Sequence, residues 1–177
     1  MFPIYQKYMK IFYGGAIQGA ENREKRAHIH KTIIDTIKQN GCDVYTEHTT
    51  GRSYEEAIEK LEQSIGKLPK EELKRRIFVR DKMIEGIEGD IEAAIFEVST
   101  PSLGTGIEIA HAYLRPKMGL KQIPILTLYE KDYWPNNLST MIRGISKEKV
   151  SYLFLEDYKD IRELKQKTIS FLEDRIK

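Results

Sequence analysis

The sequence predicts an α/β fold: a three-layer sandwich around a mainly parallel, five-stranded sheet of the Rossmann-like, flavodoxin-like kind. Three observations predict it. Short apolar runs recur along the 177-residue chain, and segments with helical periodicity separate them. Turn-forming residues close segments of both kinds, Gly14-Gly15 after an apolar run and Asn40-Gly41 after a helical one. Strands separated by a helix are most simply parallel neighbours joined by right-handed crossovers.

The first strand is KIFYGG (10–15), apolar and closed by paired glycines. From Glu21 to Asn40 the spacing turns helical, with Ala27, Ile33, Ile34 and Ile37 on one side, and Gly41 supplies a left-handed stop. CDVYTEH (42–48) reads as the second strand. Residues 49–90 are strongly charged. Ser53 and Glu56 have capping-box spacing, which opens a helix. Lys67-Leu68-Pro69 breaks that pattern before it resumes over 70–89. IEAAIFEVS (91–99) is a central third strand, QIPILTLYE (122–130) a fourth and VSYLFLE (150–156) a fifth. Between the last two lies LSTMIRGI, a short helix, and the chain closes on a helix with Ile161, Leu164, Ile169, Leu172 and Ile176 as its apolar set. No repeat or linker interrupts the series, so one domain over 1–177 is expected, with 50–80 as a lid or insertion.

Composition narrows the class. The 29 basic and 27 acidic residues give a formal charge of +2, too small for broad capture of nucleic acid. One cysteine, Cys42, allows no intrachain disulfide and suits a reducing compartment. His28 and His30 lie two apart and face different ways on a helix, so no metal site is expected. The N-terminus does not read as a signal peptide, and no run of about 18 apolar residues predicts a membrane span. A cytoplasmic protein without cofactor is the expectation.

Ligands of open parallel sheets bind beyond the carboxyl ends of the strands. Three segments fall there: GGAIQGA (14–20), TEH (46–48) and STPSLGTGIEIAHAY (99–113). The last offers the hydroxyls of Ser102 and Thr105 beside the amides of Gly104 and Gly106, a set suited to a single phosphate. Glu108 follows in the first turns of a helix, between Ile107 and Ile109. A carboxylate there either serves the helix dipole or forms part of a cleft wall. Asp81 shares a helical spacing with Leu73, Ile77 and Ile84. Burial in such a stripe would raise its pKa and let it hold a proton, whereas the alternative is an edge position paired with Arg80 or Lys82. One nucleophilic and one proton-holding carboxylate are the equipment of retaining glycosyl chemistry.

The segments YGGAIQGAENREKRAHIHKTIIDTIKQNGCDVYTEH, EVSTPSLGTGIEIAHA and LSTMIRGI, in this order, resemble the nucleoside 2-deoxyribosyltransferase superfamily. Within it they are most similar to the branch of 2'-deoxynucleoside 5'-phosphate N-hydrolases and cytidine monophosphate hydrolases. The resemblance implies hydrolysis of the N-glycosidic bond of a nucleoside 5'-monophosphate, with Glu108 as nucleophile and a glycosyl–Glu intermediate. It implies a phosphate contact from Ser102, with Gly104 beside it. Ligand-lining positions fall on Gly15, Ile17, Gln18, Gly19 and His48. It also implies a homodimer in which Ser139 completes the neighbouring site and Met141 lies near the base.

This chain has Gln18 where the family has arginine. The family's sugar-discriminating aromatic position falls on Phe12, with Tyr13 one place off, and a phenylalanine there accompanies ribonucleotide hydrolysis. Asp81 matches the family's helix aspartate only with about three extra residues, and Asp90 is the alternative acid. Base exchange between nucleosides, a cytokinin-type phosphoribohydrolase and a nucleotide-binding sensor without turnover are the rival readings.

Overall fold

The computed structural model describes residues 9–16, 19–133, 138–144 and 152–176. Five strands run β1 (Met9–Gly15), β2 (Cys42–Val44), β3 (Ala93–Glu97), β4 (Ile125–Glu130) and β5 (Leu153–Tyr158). All neighbouring pairs are parallel, in the order β2-β1-β3-β4-β5. The helices are α1 (Arg23–Gln39), α2 (Tyr54–Ile65), α3 (Glu72–Glu88), α4 (Leu103–Leu114), α5 (Thr140–Arg143) and α6 (Ile161–Arg175). This is the expected α/β sandwich, with the sheet parallel throughout. The second strand is shorter than the sequence suggests: Thr46 and the residues after it leave the ladder, and His48–Thr50 form one turn of 3-10 helix.

Strand alternation sorts the core into two layers. Ile11 and Tyr13 of β1 and Ala93 and Ile95 of β3 pack beside Ile33, Ile34 and Ile37 of α1 and Leu164 and Leu172 of α6. Phe12, Ala94 and Phe96 point the other way, toward Leu61 of α2, Met83 and Ile87 of α3, and Ile109 of α4. Side chains of this size each contribute about 1.5–3 kcal/mol when fully buried.

The helix ends follow local chemistry. Asn22, Ser53, Ser102 and Asp160 each accept a backbone N–H three residues on, which caps α1, α2, α4 and α6. The Ser53–Glu56 box closes one residue early on its return arm, since Glu56 accepts from the N–H of Arg52. Gly41 has a φ of 79°, the left-handed stop after α1.

Helix α3 corrects the sequence reading. Its buried residues are Met83, Gly86 and Ile87, with Phe78 and Val79 packed beside them. Leu73 and Ile77 are exposed, and the Asp81 side chain is 50% exposed and ion-paired with Arg80. The helix is rotated about its axis from the expected stripe because Tyr45 fixes it. The Tyr45 hydroxyl donates to the Lys82 carbonyl at 2.8 Å, and any side chain at Gly86 would run into the tyrosine ring. Among the described residues no helix is long and apolar enough to cross a membrane, and no cluster of acidic, histidine or cysteine side chains could hold a metal ion.

Candidate active site

The carboxyl ends of β1, β2 and β3 open onto a cleft of about 590 Å³. Its floor is Gly15 and Ala16, at the end of β1. One wall is the start of α4, from Pro101 to Glu108. Facing it are Tyr54, Ala57, Ile58 and Leu61 of α2, with Val79 and Met83 of α3. His48 and Thr49 close the β2 side, and Arg23 reaches in from the start of α1. A second mouth to the same carboxylate opens between α2 and α3, where Arg75, Arg76 and Arg80 stand at the rim.

Glu108 sits where only glycine permits it. A methyl group at Gly14 would lie 2.7 Å from Glu108 Oε2 and 2.7 Å from the Phe96 ring, so the bare backbone of β1 is the carboxylate's seat. Burial alone pushes its pKa up from 4.5 to about 7. At neutral pH this group therefore exists in both forms, which suits a carboxyl that must ionise to attack.

The loop delivering α4 is anchored from below. Glu97 ends β3 fully buried and accepts from Tyr158 at 2.9 Å, from Arg26 at 3.3 Å and from the Ser99 hydroxyl. Ser99 in turn accepts the Glu130 N–H at 2.7 Å, and Arg26 also pairs with Glu130. The network ties α1, β3, β4 and β5 together beneath the residues that enter α4. Ser102 then caps the helix through the Thr105 N–H at 3.2 Å.

The first loop has its own anchor. Buried His30 accepts from the Tyr13 hydroxyl at 2.6 Å through Nδ1, while its Nε2 reaches the Ala16 carbonyl at 3.3 Å. That pattern assigns the proton to Nε2. Burial lowers the His30 pKa and raises that of Tyr13, so both stay neutral.

Sequence comparison connects this geometry to known proteins. The chain is 32% identical over 165 residues to a protein of Thermofilum pendens, an alignment that covers 93% of this chain and 95% of the relative. A Methanosarcina mazei protein is 27% identical over 172 residues, covering 97% and 89%. One from Nematostella vectensis is 29% identical over 151 residues, covering 85% and 86%. All three carry the provisional name 2'-deoxynucleoside 5'-phosphate N-hydrolase 1. The chain belongs to that family. No family model matches it, and no solved structure does.

In this N-hydrolase family member, the structure gathers part of the expected site. Glu108, Gly15, His48, Ser102 and Gly104 line the cleft. Gly106, Ser139 and Met141 instead lie in an apolar groove on the outer side of α4, which also touches Ser102. Ser139 caps α5 by accepting the Met141 N–H at 3.2 Å. Phe12 and Tyr13, expected against the ligand, are fully buried in opposite core layers. Phe12 stacks on Tyr45 with ring centroids 5.7 Å apart, and Tyr13 is held by His30. Gly19 has a φ of 82° and lies outside the cleft lining. Ile17 and Gln18 lie outside the described residues.

Neither Asp81 nor Asp90 lines the cleft; both are exposed. Sequence reasoning did not single out Arg23 and Thr49 in the cleft lining, and it read Gly14 as part of a turn rather than as the seat of Glu108. Arg23 carried a readable signal, because a cation at the first position of a helix opposes the helix dipole. Such a residue is more often kept for a local reason.

Proposed function

We propose that this protein hydrolyses the N-glycosidic bond of a nucleoside 5'-monophosphate, releasing a free base and a sugar 5-phosphate. The observation that carries the reading is Glu108: an enclosed carboxylate without an ion-pair partner among the described residues, seated on Gly14 at the bottom of a cleft. The names of the family relatives support the same class of reaction. The Ser102 hydroxyl and the amides at the start of α4 receive the phosphate, because free N–H groups and the helix dipole favour an anion there. Glu108 lies six residues further along the helix, about 9 Å at 1.5 Å per residue. That spacing matches a nucleotide whose phosphate and anomeric carbon are held by the two groups. Ionised Glu108 attacks C1' and forms a glycosyl ester, which water then opens with net retention.

The reading extends to a homodimer. Leu103 is 91% exposed, Met141 81% and Ile107 55%, and together with Tyr113 and Ile142 they form one apolar groove around α4 and α5. A second copy covering this groove would bring Ser139 and Met141 to the phosphate end of its neighbour's cleft. The test is a panel of ribo- and deoxyribonucleoside monophosphates, with free base detected by chromatography. Wild type releases base from at least one of them, and Glu108→Gln from none; full release by the variant overturns the proposal.

A further inference from the structure

Buried polar side-chain atoms without a hydrogen-bond partner among the described residues fall into two main groups, with Thr100 apart on the groove side. One group belongs to the Arg26–Glu97–Glu130 network, whose opposite charges stand against one another. The other is Arg23 Nε, His48 Nδ1 and Thr49 Oγ1, and all three residues line the cleft. Leaving one such group unsatisfied in a folded protein costs on the order of 1–3 kcal/mol. Three along one wall, on segments 25 residues apart in sequence, form a constellation that calls for a ligand. Thr49 is 1% exposed and lines the cleft.

These atoms stand on the α2 side of the cleft, not the phosphate side. Arg23 Nη2 donates to the Ser53 carbonyl at 3.1 Å, immediately before α2. Thr50, next to Thr49, accepts from Lys60 of α2 at 2.6 Å. From the same helix Tyr54, Ala57 and Ile58 present flat apolar surface to the cleft. Apolar walls suit the faces of a planar heterocycle, and donors beside them suit its edge. Arg23 Nε and the Thr49 hydroxyl both offer hydrogens to an acceptor. Meanwhile no carboxyl group other than Glu108 lines the cleft among the described residues, so none stands ready to protonate a departing base.

We propose that Arg23, Thr49 and His48 form a leaving-group subsite, which binds the carbonyl-bearing edge of the nucleobase and stabilises the base as it departs with the bonding electron pair. This rests on the N-hydrolase reading of the cleft. As the C1'–N bond breaks, its electron pair passes to the base while the Glu108 carboxylate forms the new bond to C1'. The base is neutralised by a solvent proton. Water later opens the glycosyl ester and returns the carboxylate, so nucleotide plus water become base plus sugar phosphate. A guanidinium and a hydroxyl aimed at the carbonyl beside the departing nitrogen act where the negative charge develops, a role worth on the order of 10²-fold per donor. Bases with a carbonyl next to that nitrogen, as in uracil and thymine, are the favoured class.

Two measurements test this. Uridine monophosphates with 5-substituents that grade the acidity of the base are hydrolysed by wild type, Arg23→Gln, Arg23→Lys and Thr49→Val, each checked for an unchanged melting curve. The Gln and Val variants are expected to lose about 10²-fold in kcat with the least acidic base and progressively less as acidity rises, with Lys partly restoring Arg23. A loss equal for every base, and absent when the 5'-phosphate is removed, would place these groups on the phosphate and overturn the proposal. Independently of turnover, free uracil is titrated calorimetrically into the same proteins. The two variants are expected to weaken its binding about tenfold each, and undetectable uracil binding to wild type, or binding unchanged in both variants, overturns the subsite. Uracil binding that responds to the variants in a protein that releases no base from any nucleotide would count against the hydrolase reading alone.

Discussion

Replacing Glu108 with glutamine should stabilise the protein, and by an amount that depends on pH. Desolvation in the cleft raises the pKa of this half-buried carboxyl from 4.5 to about 7. At 1.36 kcal/mol per pKa unit, keeping it ionised in the fold costs about 3 kcal/mol. The sign follows from proton counts. The folded state holds this proton more tightly than the unfolded chain, so stability is fully present below pH 4.5 and is lost as pH rises through about 7. Glutamine has nearly the same shape and no charge to lose. Urea unfolding of both proteins from pH 5 to 8.5 should show the variant's advantage growing by roughly 2–3 kcal/mol. Differences between the two proteins cancel the other titrating groups. An advantage that stays constant within about 0.5 kcal/mol across that range would mean the carboxylate is solvated, and the cleft floor described above would be wrong.

Four further outcomes follow from the same geometry. With the best nucleotide substrate, kcat/KM for base release should climb about tenfold per pH unit below about 7 and level off above it; a profile flat from pH 5 to 8 would remove Glu108 as the ionising nucleophile. Gly14→Ala should dislodge both the carboxylate and the Phe96 ring, costing about 1–3 kcal/mol in urea unfolding and most of the base release. Arg26→Gln should cost about 3–5 kcal/mol in the same assay, because it strips the buried Glu97 of its cation. Leu103→Asp together with Met141→Asp should give a monomer by light scattering with sharply reduced turnover, whereas a variant that stays dimeric and fully active would separate the apolar groove from assembly.

The sheet was legible because its strands are nearly continuous apolar runs, and a parallel strand buried on both faces can hardly be written otherwise. The α4 segment was legible for another reason: its glycines and hydroxyls are more than a turn needs. Helix α3 was misread because two apolar stripes run along it. Leu73, Ile77 and Ile84 compete with Phe78, Val79, Met83 and Ile87, and periodicity ranks neither. Gly86 is the cue that decides, since a glycine in mid-helix signals a close neighbour, here the Tyr45 ring. Phe12 and Tyr13 were placed at the ligand by resemblance. Alternation along a strand sends adjacent side chains to opposite layers, and both layers had room to absorb them. Arg23 and Thr49 could not be paired from sequence, because only the β1–α1–β2 unit brings them to one cleft.

The cleft's polar wall hangs from the weakest part of the sheet. Strand β2 has three residues, Cys42 to Val44, with β1 on one side and, among the described residues, no strand on the other. Elements held by so few ladder bonds open at a small fraction of the free energy needed to unfold the whole domain. Amide hydrogens of residues 42–60 should therefore exchange with solvent well before those of β3 and β4, which are paired on both sides. Glu108 belongs to the slow, central part of the molecule and the His48–Thr49 wall to the fast edge. A nucleotide entering the cleft bridges the two, so its arrival should be recorded chiefly as slowed exchange along that edge.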